Sequence, residues 1–72
     1  MKENDIIYVS GYADELGIED YGFVRVATYG IIVQTPSKYA KKVLVKLDIV
    51  DGDGDVTVRV FKNKIQMIKG EN

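Results

Sequence analysis

Side chains that could carry out catalysis are few among the 72 residues of this chain. It contains no histidine and no cysteine, so neither an imidazole base nor a thiolate nucleophile is available. Ser10 and Ser37 therefore have no histidine to activate them. The carboxylate pairs at 14–15 and 19–20 fall in a loop that we expect to be exposed, where the fixed geometry needed for acid–base catalysis is hard to maintain. We expect no catalytic residues and a protein that is not an enzyme.

The aspartates and glycines at 51–55 raise the question of a calcium site. Their order, Asp-Gly-Asp-Gly-Asp, resembles the start of an EF-hand loop. Such a loop also needs flanking helices and a bidentate glutamate at its twelfth position, which is Lys62 when Asp51 is counted as the first. The flanking residues alternate like strands, so the sequence favours a tight turn. We expect no metal site and no cofactor.

Acidic residues and tyrosines that suit contact with another protein are concentrated in one loop. Tyrosine offers a large contact area at a low entropic cost and is enriched at interfaces. We therefore expect a protein partner, of unknown identity, to contact Tyr12, Asp14, Glu15, Glu19, Asp20 and Tyr21. An exposed strand edge would be another route to a partner, or to a homodimer, by addition of a strand to the sheet.

The alternative is a nucleic-acid-binding surface on the outer face of a predicted hairpin. The candidate residues are Lys46, Arg59, Lys62 and Lys64, with Phe61 beside them. Basic groups interleaved with an exposed aromatic side chain suit a phosphate backbone. The isoelectric point of 5.2 argues against this alternative, since a nucleic-acid-binding domain is usually basic.

Length and composition predict one small domain spanning residues 1–72. The net charge is −1, but residues 1–36 carry two basic and six acidic groups and residues 37–72 carry eight basic and five acidic groups. No apolar run approaches the roughly 20 residues of a membrane span, and the first residues do not resemble a signal peptide. We expect a soluble, cytoplasmic protein that does not contact a membrane, comparable in size and composition to accessory proteins of bacteria and phages.

Apolar residues recur with a period of two almost throughout, which predicts strands. The expected strands cover residues 5–10, 22–27, 31–35, 43–49, 56–61 and 65–68, with Gly30 as either a hairpin tip or a kink. The sequence therefore predicts an all-β fold of five to six short strands. In the hairpin over 43–61, matching apolar faces predicts three cross-strand pairs, which are Ile49–Val56, Leu47–Val58 and Val45–Val60.

This order of elements resembles a small SH3-like barrel, with a long first loop, a central hairpin and a last strand beside the first. The segments 5–11 and 22–26 are also similar to the first two strands of the KOW family, and 43–47 would be the third. The KOW resemblance implies a module that binds RNA or DNA. Peptide-binding SH3 domains are similar in having an acidic first loop, but this chain has no tryptophan for a proline-binding groove.

Overall fold

The computed structural model describes residues 1–18, 23–51 and 54–68, with the backbone alone for residues 50 and 51. It contains five strands and one 3-10 turn. They are β1 (Ile6–Tyr12), β2 (Arg25–Ile32), β3 (Lys42–Asp51), β4 (Gly54–Phe61), the 3-10 turn (Lys62–Lys64) and β5 (Ile65–Met67). The predicted all-β fold is confirmed.

All five strands form one antiparallel sheet in the order β4-β3-β2-β1-β5. The last strand returns to the first as predicted, with Val9 opposite Ile65 and Ile7 opposite Met67. Within the described ranges, β4 and β5 are the two edges and no pairing joins them. The sheet is therefore open where the sequence predicted a closed or nearly closed barrel.

One face of the sheet carries the core because apolar side chains alternate along each strand. The fully or almost fully buried apolar residues are Ile7, Val9, Ala13, Leu16, Ile18, Ile32, Val43, Val45, Leu47, Val56 and Val60. Apolar residues on both faces of the segment 5–10 predict a strand buried on both sides. This prediction is wrong, since Ile6 is 56% exposed. The sheet has a second face that the described part of the chain does not cover.

The β3–β4 hairpin keeps the predicted inward faces but not the predicted partners. Leu47 lies opposite Val56 and Val45 opposite Val58, a shift of two residues from the prediction. Beside the turn, Val50 pairs with Asp55. This pair is the one that the predicted register would give if it were continued towards the turn. An irregularity in β3 between Leu47 and Val50 separates the two alignments. The irregularity adds two residues to β3 relative to β4. Because side chains alternate with a period of two, this shift preserves which of them face the core.

Gly30 is not a hairpin tip, and the alternative prediction of a single strand through this residue is confirmed. It lies inside β2, which runs without a break from Arg25 to Ile32, so residues 25–27 and 31–32 of the two predicted segments belong to one strand. A Cβ atom at this position would lie 2.7 Å from the Lys46 carbonyl oxygen in β3. Glycine is required here because the two strands approach too closely for a side chain.

Candidate binding surfaces

The first part of the loop between β1 and β2, residues 13–18, is anchored in the core by its own side chains. Ala13, Leu16 and Ile18 are buried, and Gly17 has the positive φ of 79° that the turn requires. The Ala13 N–H donates to the Val24 carbonyl at 2.8 Å, and the Ile18 N–H donates to the Ala13 carbonyl at 2.9 Å. The first half of the loop is thus a fixed platform, in contrast to the exposed loop expected from the sequence.

Glu15, one of the predicted partner-binding residues, is used to hold this loop. Its Oε1 atom accepts a hydrogen bond from the Tyr12 N–H at 3.0 Å, and its Oε2 atom lies 3.7 Å from Lys64 Nζ. The Tyr12 N–H holds the pKa of Glu15 below its ordinary value, with a smaller contribution from the positive charge of Lys64. The carboxylate is therefore ionised at neutral pH and closes the turn.

Exposed side chains on this platform and on the residues paired with it form a group, which we call the loop surface and define as Tyr12, Asp14, Phe23, Val24 and Arg25. Tyr12 is 40% exposed and Phe23 is 87% exposed. Tyr12 and Arg25 are paired across β1 and β2, and the Arg25 guanidinium lies 5.4 Å from the centre of the Tyr12 ring. Tyr12 and Asp14 are predicted contact residues that stay exposed.

The structure adds to this surface two residues that sequence reasoning placed in a strand. Phe23 and Val24 alternate in the sequence as part of the predicted second strand, yet both precede β2 and are exposed. The sequence gives little indication that these two residues are exposed, since apolar alternation alone suggests burial. Three predicted contact residues, Glu19, Asp20 and Tyr21, lie outside the described residues.

The four residues predicted to bind nucleic acid do not form one strip. The predicted register, with Leu47 opposite Val58, would place Lys46 opposite Arg59. Lys46 instead lies opposite Thr57, because the register is shifted by two residues. Lys46 forms a salt bridge with Asp55 at 3.2 Å. Lys64, in the 3-10 turn, lies beside Glu15, which belongs to the loop between β1 and β2. Lys46 and Arg59 share the outer face of the hairpin, whereas Lys64 is held elsewhere.

The outer face of the sheet exposes apolar side chains of β1 and β2. Ile6 lies opposite Ile31, and Tyr8 lies opposite Tyr29. The two tyrosine rings meet edge to face with their centres 5.1 Å apart. A shallow groove of about 390 Å³ runs from Ile6, Tyr29 and Ile31 to Lys46. Exposed apolar groups in register of this kind are typical of surfaces that contact other proteins.

Within residues 1–18, 23–51 and 54–68, no group of three or more potential metal-ligating His, Cys, Asp or Glu residues occurs. The same part of the chain contains no helix long and apolar enough to cross a membrane. Comparison with known protein families, with curated proteins and with solved structures gives no match.

Proposed function

We propose that this protein is a small non-catalytic module that binds a protein partner through the loop surface. The observation that carries the proposal is the combination of a buried anchor in the loop and exposed aromatic side chains near its two ends. Leu16 is fully buried while Tyr12 and Phe23 are exposed. A partner would meet aromatic groups whose backbone is already ordered, so binding would cost little conformational entropy.

The chemistry of the loop surface suggests which partner segment it would accept. Phe23 and Val24 supply apolar contact area, and Asp14 supplies an exposed negative charge. Glu19 and Asp20 add two further acidic groups to the same loop in the sequence. A segment that combines apolar side chains with lysine or arginine would be complementary in both respects. We expect such a segment in a cytoplasmic partner.

The order of elements supports an SH3-like arrangement for this module. A long loop joins β1 to β2, a 3-10 turn precedes the last strand, and β5 lies beside β1. The KOW-like alternative, in which Lys46, Arg59, Lys62 and Lys64 grip RNA or DNA, is less favoured. Lys46 and Lys64 are engaged with Asp55 and Glu15, so less positive charge is free than the sequence suggested.

A homodimer through a strand edge remains a second proposal for the same fold. The eight-residue strand β4 is an edge strand, and an unpaired edge can add a strand from another molecule. Part of that edge is crowded by the loop, since a Cβ atom at Gly17 would lie 3.2 Å from the Arg59 carbonyl oxygen. The loop surface is therefore the better supported contact.

Selection from a library of random peptides tests the proposed function even though the partner is unidentified. We expect the wild-type protein to enrich peptides that carry basic and apolar residues. The double variant Tyr12→Ala/Phe23→Ala should bind a selected peptide about thirtyfold more weakly or worse, because two aromatic residues at the centre of an interface together contribute about 2 kcal/mol or more. Isothermal titration calorimetry measures the change in Kd.

Tyr39→Ala is the matched control, since Tyr39 is 82% exposed but lies outside the loop surface. It should leave the Kd of the selected peptide unchanged. The proposal fails if the selection returns no binding peptide, or if the selected peptides bind the double variant as tightly as the wild type.

A further inference from the structure

A second surface, independent of the loop surface, combines lysines and exposed aromatic rings around the connection between β2 and β3. We call it the lysine–aromatic surface and define it as Lys38, Tyr39, Lys41, Lys42, Phe61 and Lys62. Tyr39 is 82% exposed and Phe61 is 44% exposed. Residues 37–42 contain three lysines, but Phe61 and Lys62 are distant from them along the chain, so the sequence alone does not show this surface.

Hydrogen bonds fix the backbone that carries these side chains. The Tyr39 N–H donates to the Ser37 hydroxyl oxygen at 3.1 Å, and the Lys62 N–H donates to the Lys41 carbonyl at 3.0 Å. The Lys62 ammonium also donates to the Ser37 carbonyl at 3.3 Å. The connection is thereby joined to the 3-10 turn, and a shallow groove of about 440 Å³ runs between them.

The positive charge of this surface is not balanced by described acidic groups. Two salt bridges occur within residues 1–18, 23–51 and 54–68, and neither involves Lys38, Lys41, Lys42 or Lys62. The groove is lined by Lys38, Ala40, Lys41, Phe61, Lys62 and Asn63, with no carboxylate among them. Four like charges brought together repel one another, so an anionic ligand would relieve that repulsion.

We propose that the lysine–aromatic surface binds a short acidic segment of a partner protein, rich in glutamate or aspartate and containing apolar residues. Its lysines would pair with carboxylates, and the ring edges would contact the apolar side chains between them. The site lies apart from the loop surface and does not depend on the function proposed there.

Two observations favour an acidic polypeptide over a single-stranded nucleic acid. Base stacking needs a free aromatic face, but the Lys42 ammonium lies 4.7 Å from the centre of the Phe61 ring and the Lys38 ammonium 5.2 Å from that of Tyr39. The protein as a whole is also acidic, with a net charge of −1. Domains that bind nucleic acid are usually basic, so this net charge favours a short acidic segment over a long polyanion.

Fluorescence anisotropy with a labelled peptide of alternating glutamate and leucine tests this proposal. We expect binding at low salt that weakens as salt is added, and no binding of the matching glutamine–leucine peptide. Lys38→Glu/Lys41→Glu should raise the Kd at least about tenfold, because two attractions become repulsions. Lys2→Glu/Lys46→Glu, with the same net charge, should change it by less than about twofold. Tyr39→Ala should weaken binding, and Phe23→Ala should not.

Three outcomes would overturn the proposal. One is equal binding of the glutamine–leucine peptide, and another is an equal loss in the Lys2→Glu/Lys46→Glu control. The third is tighter binding of an oligothymidylate of the same length, which would assign the surface to nucleic acid. Circular dichroism should show all variants folded, since Lys38 and Lys41 are exposed.

Discussion

Replacing Leu16 with alanine should lower the free energy of unfolding by about 2–5 kcal/mol, the range for removing a fully buried leucine side chain. Leu16 has no exposed surface, although it lies in a loop between two acidic and glycine-containing segments. Because small domains are only marginally stable, this change should leave a substantial fraction of the protein unfolded. Urea denaturation followed by far-ultraviolet circular dichroism measures the loss.

Asp14→Ala is the matched control in the same turn, since Asp14 is exposed. It should change the free energy of unfolding by no more than about 0.5 kcal/mol. A loss below about 1 kcal/mol for Leu16→Ala would show that the loop is not anchored in the core. The loop surface would then lose the ordered backbone on which the proposed function depends.

Removing the chain from Ile65 onward should unfold the domain altogether. The truncation deletes β5, which pairs with three residues of β1, and it removes Ile65, which packs against the core. It also leaves β1 as an unprotected edge with its backbone groups unpaired. Loss of the dispersed amide signals in a proton–nitrogen NMR spectrum would report the unfolding.

Removing only Glu71 and Asn72 controls for the truncation and should leave the spectrum essentially unchanged. A folded protein lacking residues from Ile65 onward would contradict the role assigned to β5. It would show that strands β1 to β4 with their connecting loops suffice for a stable core.

The alternation of apolar residues predicted much of this fold because the buried face is a local property. In β3 and β4, the valines and leucine predicted to face inward do so, and β5 lies beside β1 as predicted. The partners in the hairpin could not be predicted, because an irregularity between Leu47 and Val50 leaves no trace in the alternation. An even shift preserves the faces while changing every pair.

The candidate surfaces were predictable only in part, since side-chain neighbours depend on tertiary contacts. The composition of the first loop identified Tyr12 and Asp14, which stay exposed, but not the core contact of Leu16 or the use of Glu15 to close the turn. Lys46 and Arg59 are not opposite each other, because the register predicted for the hairpin is wrong by two residues. Phe61 meets Lys42 because the two lie opposite each other in β3 and β4.

The most direct test of the central claim is an NMR titration of the isotope-labelled protein with a peptide selected for binding. We expect the largest amide shifts at residues 12–16 and 23–25, on the loop surface and its anchor. Shifts confined to 38–42 and 61–63, or to the outer face of β1 and β2 around Ile6 and Tyr29, would contradict the claim. Either result would place the contact with that peptide away from the loop surface.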